Sequence, residues 1–375
     1  MFRQSSYTDR LTFFQKLRSF DYLLIICILA LGIISIFAMY SSEGGEFSYY
    51  TQGHMIRFIA FFFLMIGLSF VRTKFWHSTG YLFYFIVLLL LIYASFYGVT
   101  ASGSQRWINL YFINLQPSEL MKIAIIVCFA KFYHRLQINN VNNFKTLITP
   151  IVILIIPILL VLSQPDLGTS ILIGFSGIIV IWLAGVNIRY FVYLFLGLLI
   201  SAPFVISFLK PYQKLRILTF FDPEKDPLGA GYQIIQSKIA VGSGGLSGKG
   251  FLKGTQSYLD FLPEKHTDFI FTLFSEEFGF VGSLGLLLIY ALIIRRIIVI
   301  GNQVKNNFAK LYCYGFASAF FSYVAINMSM VLGLLPIVGA PLPIMSYGGS
   351  AMLAMMIGLG FVMSCKIYRD TELSK

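Results

Sequence analysis

The chain has 375 residues, of which 57% are apolar and only 12% are charged, and its formal net charge is +12 at pH 7. A soluble domain of this length does not need so large an apolar fraction, so the composition excludes an ordinary soluble enzyme and indicates an integral membrane protein. The apolar runs are continuous and do not alternate with polar residues, which excludes a transmembrane β-barrel and predicts helical spans.

Ten apolar stretches approach or exceed the roughly 20 residues that a helix needs to cross a bilayer. The first follows a long polar segment and is too long for the core of a cleavable signal peptide, so we interpret it as a span. The predicted fold is all-α, a single polytopic membrane domain over residues 1–375. Its ten spans lie near 21–41, 55–71, 79–98, 118–135, 146–162, 168–186, 189–208, 268–299, 309–333 and 347–366.

The distribution of Lys and Arg over the short loops predicts the orientation of the chain. Alternate loops, counted from the N-terminal tail, are rich in these residues, whereas the other set of short loops holds only Arg106. Both termini are therefore expected on the cytoplasmic side, as an even number of spans requires. Much of the positive charge is this topology signal and does not indicate nucleic-acid binding.

One long loop, residues 209–267, separates spans seven and eight on the non-cytoplasmic side. Loops of this length usually have a function. Within it, Ile234, Ile235 and Ile239 of YQIIQSKIA can share one helical face, which predicts a short helix lying at the membrane surface. The loop has eight Lys or Arg against five acids before Asp268. A basic loop suits an anionic lipid headgroup such as a diphosphate, and a solvated face is the alternative.

In the same loop, YQIIQSKIA is followed by a glycine-rich stretch, VGSGGLSGKGFLKGTQ, which carries Lys249 and Lys253. It is not a nucleotide-binding P-loop, because Ser243 replaces the first glycine of that motif and Gly250 replaces its hydroxyl residue. Backbone amides and lysines of such a stretch can still contact a phosphate. The alternative is a mobile connector.

Ionisable residues in or beside spans are costly, so each is a functional hypothesis. Glu119 and Lys122 are three residues apart at the start of span four, share a helix face and are expected to pair, for structure or for function. Asp166 lies in QPDLGT, the tight turn between spans five and six. An acid there either has a direct function or only accepts hydrogen bonds from backbone amides.

Asp268 is the last charge before span eight in LPEKHTDFIF. Helix capping by Thr267 and Asp268 accounts for an acid at this place. It does not account for the cluster of Glu264, Lys265 and His266 at the same boundary. A helix N-terminus also keeps a carboxylate ionised, as a general base must be, so catalysis is the second interpretation.

Two further features surround this position. Glu276 and Glu277 lie roughly 12–14 Å further along the helix, too deep to act with Asp268, and are predicted to be structural. Before span ten, LPIVGAPLPIMSYGGS interrupts the apolar pattern with prolines and glycines, and irregular backbone at membrane depth must pack against protein or line a cavity. We expect this stretch to shape a cavity near Asp268. The four Cys and four His show no metal or redox pattern and are expected to be packing residues.

Taken together, these motifs resemble the SEDS family (shape, elongation, division and sporulation proteins) over essentially the whole chain. Within the family, DPLGAGYQIIQSKIAVGSGG and GTQSYLDFLPEKHTDF are most similar to the rod-shape elongation branch, the RodA proteins, and less to the division or sporulation branches. The motifs occur in order as SGSQRWI, QPSELMK, QPDLGTS, PYQKLRILTFFDPEKDPLGAGYQIIQSKIAVGSGGLSGKGFLKGTQ, LDFLPEKHTDFIF and MVLGLLPIVGAPLPIMSYGGS.

The resemblance implies a ten-helix peptidoglycan glycosyltransferase that polymerises lipid II at the outer face of the bacterial cytoplasmic membrane. It also implies a partner, a class B penicillin-binding protein that acts as the transpeptidase, within the elongation machinery. The essential aspartate of the family falls on Asp268, and its functionally important tryptophan falls on Trp107.

This chemistry is consistent with the residues. A sugar hydroxyl is a weak nucleophile and needs a base, so Asp268 is expected to take the proton from the acceptor GlcNAc 4-hydroxyl while the growing glycan, still on its lipid diphosphate, is the donor. Inversion by direct displacement needs no second, nucleophilic carboxylate. The leaving diphosphate needs cations or amides, and a divalent cation, Mg²⁺ or Mn²⁺, is the alternative; no other cofactor is expected. The predicted substrate-binding residues are Arg106, Trp107, Glu119, Lys122, Asp166, Arg216, Lys249, Lys253 and His266.

Two other functions stay open. A lipid II flippase or other transporter also fits ten spans, a broken final helix and intramembrane charges. A scaffold that only recruits the transpeptidase predicts that Asp268→Asn is tolerated.

Overall fold

The structure is a computed structural model that describes residues 12–101, 104–110, 114–136, 140–208, 211–223, 230–255 and 265–373. Glu264, which belongs to the predicted cluster around Asp268, lies outside the described residues.

The described residues form helices and one small three-stranded antiparallel sheet with the strand order β1-β2-β3. The helices are α1 (Phe13–Arg18), α2 (Tyr22–Ser42), α3 (Tyr49–Ser69), α4 (Thr73–Tyr97), α5 (Pro117–His134), α6 (Phe144–Ser163), α7 (Leu167–Leu183), α8 (Ile188–Phe208), α9 (Pro211–Phe221), α10 (Ala230–Ser243), α11 (Ile270–Gln303), α12 (Asn307–Val331) and α13 (Gly349–Ile367). The strands are β1 (Val99–Ala101), β2 (Ser104–Asn109) and β3 (Asn114–Leu115), between α4 and α5.

Each of the ten predicted apolar ranges overlaps a helix, α2 to α8 and α11 to α13. In the described parts of the chain, seven of these helices are long and apolar enough to cross a membrane, and α7 and part of α8 are shorter apolar helices. The helical, multi-pass class is therefore confirmed. The count of ten spans and the sidedness of the loops stay predictions.

Helix α5 lies at the centre of the bundle. Its residues from Pro117 to Lys131 are all buried, and it packs against α4, α7 and α12. A helix that is enclosed on every side has no polar face towards water, which explains why its apolar residues show no periodicity. The cysteines Cys27, Cys128, Cys313 and Cys365 are all buried, as expected of packing residues.

In its described residues, the predicted loop 209–267 contains two helices, α9 and α10. The helix predicted in YQIIQSKIA is confirmed as α10, but protein covers only one of its three isoleucines fully, and its position at the membrane surface stays a prediction. Ile234, Ser237 and Ala240 are buried, whereas Ile239 is 47% exposed. The reason is that α10 packs against α11 and α12 along one row of residues spaced by three, so protein contacts decide which face is covered.

Helix α11 is broken at Gly279, which has φ 65° and ψ −162°. The glycine-rich segment, residues 244–250, supplies the hydrogen bonds that the break removes. On one side of the break, the amides of Lys249 and Gly250 donate to the carbonyls of Glu276 and Glu277, both at 3.0 Å. On the other, the amides of residues 280 and 281 donate to the carbonyls of residues 245 and 246, at 2.9 and 3.1 Å.

The glycine-rich segment is thus a packed part of the bundle, and the alternative of a mobile connector is wrong. Its glycines are required by space as well as by conformation. Gly248 has φ +79°, and a Cβ placed on it would lie 2.1 Å from the carbonyl oxygen of Glu277. Only a residue without a Cβ allows the segment to approach the helix closely enough to bond its free backbone groups.

We predict that Gly248→Ala destabilises the protein by more than about 2 kcal/mol, because the new methyl group clashes with backbone and the positive φ is strained. Gly242→Ala is the matched control, since no described heavy atom lies within 4 Å of a Cβ built there and its φ is not positive. Thermal unfolding of the two detergent-solubilised variants measures the difference. Equal melting temperatures would contradict the packing described above.

Candidate functional site

Asp268 lies in a turn, residues 265–269, that precedes α11. The helix begins at Ile270 and its N-cap is Phe269, so Asp268 stands one residue outside the cap. The expectation that Asp268 opens the helix is therefore off by two residues. The capping position belongs to Phe269, whose side chain makes no capping hydrogen bond.

Three donors from later in the chain fix the backbone of this turn. The carbonyl oxygens of residues 266–268 accept, in that order, from the Tyr347 amide at 2.9 Å, the Ser346 hydroxyl at 2.6 Å and the Asn327 side-chain amide at 2.9 Å. Ser346 in turn accepts from the amide of Leu342 at 2.7 Å. The turn is thus held by the end of α12 and by the connection between α12 and α13.

Residues 337–340, here called the bridging segment, lie against four of the elements around the site. Arg216 donates to the carbonyl of residue 337 at 3.2 Å, and a Cβ on Gly168 would lie 2.1 Å from the carbonyl of residue 338. A Cβ on residue 339, a glycine with φ +70°, would lie 3.5 Å from Oδ2 of Asp268. Asn327 donates to the carbonyl of residue 340 at 2.7 Å. This irregular stretch therefore lies near Asp268, as expected, and the cavity that it was expected to shape stays a prediction.

On the other side of the bridging segment, Asp166 is the N-cap of α7. Its Oδ1 accepts from the amide of Thr169 at 3.0 Å, as the backbone interpretation requires. Its Oδ2 accepts from Arg106 at 2.8 Å and from Gln116 at 3.2 Å. The Arg106 side chain is 25% exposed while Asp166 is buried, so this pair places one cation at the edge of the bundle.

Glu119 and Lys122 form the predicted ion pair, with Nζ to Oε1 at 2.7 Å and both side chains almost fully buried. The hydroxyl of Tyr323 donates to the second oxygen of Glu119 at 2.9 Å, and Nζ of Lys122 lies 4.3 Å from the centroid of the same ring. Tyr323 is one turn before Asn327 on α12. The ion pair is therefore connected, through one helix, to the donor that contacts the Asp268 turn.

A second buried cluster lies about two turns along α11. Lys249 pairs with Glu276 at 2.7 Å, and Thr255 donates to the same carboxylate through its amide at 2.9 Å and its hydroxyl at 3.0 Å. Glu277 accepts from the Ser41 hydroxyl and from the amide of residue 252. Both acids are buried in the bundle, as the structural interpretation requires. The structure places Lys249 in this cluster and does not bring it to the bridging segment, and it leaves Lys253 exposed.

His266 stacks on Tyr50 with ring centroids 4.0 Å apart, and its Nδ1 lies 2.9 Å from the hydroxyl of Ser42. Both rings line a polar cavity of about 470 Å³ together with Ser42, Glu43, Gly44, Glu46, Ser48 and Lys265. Burial alone would raise the pKa of Glu43, but hydrogen bonds from Ser48 and Thr51 to its carboxylate outweigh burial and lower the pKa. Glu43 is thus a charged acceptor that fixes the first turn of α3, which carries Tyr50.

Trp107 lies on β2 directly after Arg106 and is half-buried. The contacts of the described residues do not join its ring to the turn that carries Asp268. The described residues also contain no cluster of three or more His, Cys, Asp or Glu that could hold a metal ion.

Sequence reasoning missed Asn327, Ser346 and Tyr347 as parts of the site. Asn327 had a usable signal, since a fully buried amide in an apolar span needs partners. Ser346 and Tyr347 lie in the recognised stretch MSYGGS, but their contacts with residues 266 and 267 are far away in sequence and leave no local pattern.

A family model, FTSW_RODA_SPOVE, described as "Cell cycle protein", matches residues 17–371. The chain belongs to this family, and the resemblance found in its motifs is confirmed. The peptidoglycan glycosyltransferase MrdB of Escherichia coli K12 is 40% identical over 363 residues, which cover 96% of this chain and 97% of that protein. MrdB is a RodA protein, which agrees with the branch that the motifs favour.

Two solved structures share the fold. A chain from a structure entitled "Structural coordination of polymerization and crosslinking by a peptidoglycan synthase complex" aligns with a TM-score of 0.81 at 28% identity, covering 94% of this chain and 99% of that one. The rod shape determining protein RodA of Thermus thermophilus aligns with a TM-score of 0.71 at 24% identity, covering 94% and 98%. The second likeness concerns the fold alone.

We predict that Lys122→Met destabilises the protein by about 3–5 kcal/mol, because it leaves the buried Glu119 carboxylate without its cation. The double variant Glu119→Gln, Lys122→Met removes both charges and keeps an acceptor for Tyr323. Its melting temperature is expected near that of the wild type. A double variant as unstable as the single one would show that the pair is not the source of the effect.

Proposed function

We propose that this protein is an inverting peptidoglycan glycosyltransferase that polymerises lipid II into glycan strands during cell elongation and releases polyprenyl diphosphate. The observation that carries the proposal is the placement of Asp268. Its carboxylate stands beside an irregular bridging segment, on a turn held by three hydrogen bonds, and the cation Arg216 contacts the same segment.

Asp268 is the general base in this proposal. It takes the proton from the acceptor 4-hydroxyl as that oxygen attacks the anomeric carbon of the growing strand, and the bond from that carbon to the lipid diphosphate breaks. A single base suffices, because direct displacement with inversion forms no glycosyl-enzyme intermediate. The rigid turn supports this role, since a base acts only at hydrogen-bonding distance from the proton it removes.

The leaving diphosphate needs positive charge on the same side of the site. Arg216 supports this role best, because it already contacts the bridging segment that Asp268 adjoins. Arg106 is partly exposed and pairs with Asp166, and the Glu119–Lys122 pair is buried in the bundle. The role of Lys249 in binding the diphosphate has weaker support, since its ammonium group pairs with Glu276. The same role for Lys253 is supported only by the exposure of its side chain. His266, Trp107 and Asp166 remain in the proposed substrate-binding set, and a divalent cation remains the alternative counter-charge.

We further propose that the protein resides in the bacterial cytoplasmic membrane with the site on the extracytoplasmic side and both termini in the cytoplasm. The excess of Lys and Arg in alternate short loops supports this orientation. A class B penicillin-binding protein is the proposed partner, and the solved synthase complex that this chain resembles supports it.

We expect Asp268→Asn to abolish polymerisation, a loss of about 10²-fold or more, because an amide cannot accept the proton. The assay follows polymer formation from labelled lipid II in liposomes with a cognate transpeptidase, for wild type and variant, each with and without a chelator. Lipid II binding and the melting temperature are measured on the same preparations. Loss of activity on chelation would assign a divalent cation to the reaction.

The outcomes separate the three functions. Bound lipid II without polymer in Asp268→Asn supports the enzyme and its base. Equal polymer from both proteins would remove Asp268 from the mechanism. No polymer from a wild type that binds lipid II would favour the flippase, for which the same liposomes measure transbilayer movement, or the scaffold.

A further inference from the structure

We infer that Asn327 and Ser346 are positioning residues, which hold the carboxylate of Asp268 in the place where it acts. This inference rests on the proposed function, because it concerns the geometry of the base. Asn327 lies on α12 and Ser346 lies on the connection that follows it. Their amide and hydroxyl groups are remote from the reacting atoms, so their chemistry alone does not suggest a role in the reaction.

Asn327 is fully buried, and both hydrogen atoms of its amide nitrogen are used. One contact goes to the carbonyl of Asp268 at 2.9 Å and the other to the carbonyl of Ala340 at 2.7 Å. A single side chain therefore fixes the distance between the backbone of the base and the end of the bridging segment. Both acceptors are main-chain atoms, so the amide acts on the position of Asp268 and not on the substrate.

Ser346 adds a second constraint one residue earlier in the turn. Its hydroxyl donates to the carbonyl of Thr267 at 2.6 Å and accepts from the amide of Leu342 at 2.7 Å. The adjacent Tyr347 amide donates to His266 at 2.9 Å. With Asn327, these contacts fix three successive peptide units, which leaves the chain little freedom to rotate Asp268.

Such support matters because Asp268 lies outside the regular helix. A residue inside α11 would be fixed by the helix, but residues 265–269 form a turn. A displacement of a catalytic group by about 1 Å can reduce the rate about 10²-fold. Tertiary hydrogen bonds to this turn replace the rigidity that helical bonds would otherwise provide.

Two variants remove the proposed contacts one at a time. Asn327→Leu keeps the number and branching of the side-chain heavy atoms and has no donor, and Ser346→Ala removes one hydroxyl with little change in volume. Each is expected to lower kcat for lipid II polymerisation by about 10- to 100-fold, with KM for lipid II within about threefold of wild type. Ser346→Thr keeps the hydroxyl and is expected to recover most of the activity lost in Ser346→Ala.

Ser322→Ala is the matched control on α12. Its hydroxyl is also buried but donates to the carbonyl of Ser318 at 2.8 Å, within its own helix. We expect its kcat to stay within about twofold of wild type. Melting temperatures of all variants separate a loss of positioning from a loss of fold, and if Asn327→Leu does not fold, the Ser346→Ala and Ser346→Thr pair decides.

Asp268→Asn is measured in parallel, so that a failure of the positioning role can be distinguished from a failure of the proposed function. If it is inactive and the positioning variants show wild-type kcat, the inference is overturned while the proposed function stands. A rise in KM at unchanged kcat, or an equal loss of kcat in Ser322→Ala, overturns the inference as well. If Asp268→Asn polymerises normally, the proposed base is wrong and the positioning role falls with it.

Discussion

The arrangement around Asp268 depends on one constraint: backbone that is not helical must still have hydrogen-bonding partners inside a membrane protein. The bridging segment and the 265–269 turn both break the helical pattern, and they meet each other. Side chains from α9 and α12 donate to their carbonyls, at residues 337, 268 and 340. The same contacts that satisfy the backbone bring the acid and the nearby cations into one region.

At the break in α11, backbone groups rather than side chains provide the hydrogen-bonding partners. At Gly279 the helix gives up its own hydrogen bonds, and residues 244–250 replace them on both sides. Placing the glycine-rich segment here also buries Lys249 against Glu276, so that the charge of each is compensated. The two sets of contacts lie on either side of the first turns of α11 and hold the N-terminal end of that helix between them.

The sequence predicts the features that depend on residues close together in the chain. Continuous apolar runs predict the helices because burial in lipid and in protein both require them, and the i, i+3 spacing of Glu119 and Lys122 predicts their pairing. The pattern did not predict which face of α10 packs against protein, because it shows which residues are apolar but not whether lipid or protein covers them. The contacts of Asn327 and Ser346 could not be predicted, since they join residues 59 and 79 positions apart.

Because these contacts join residues that are far apart in sequence, they determine the order in which the site assembles in the membrane. The glycine-rich segment precedes α11, so the partner that completes the broken helix has already been synthesised when that helix emerges. The donors that fix the Asp268 turn belong to α12 and to the connection before α13, so they are synthesised after α11. A nascent chain that ends before residue 327 therefore carries the acid without any of these donors, and the set of three is complete only once residue 347 has been added.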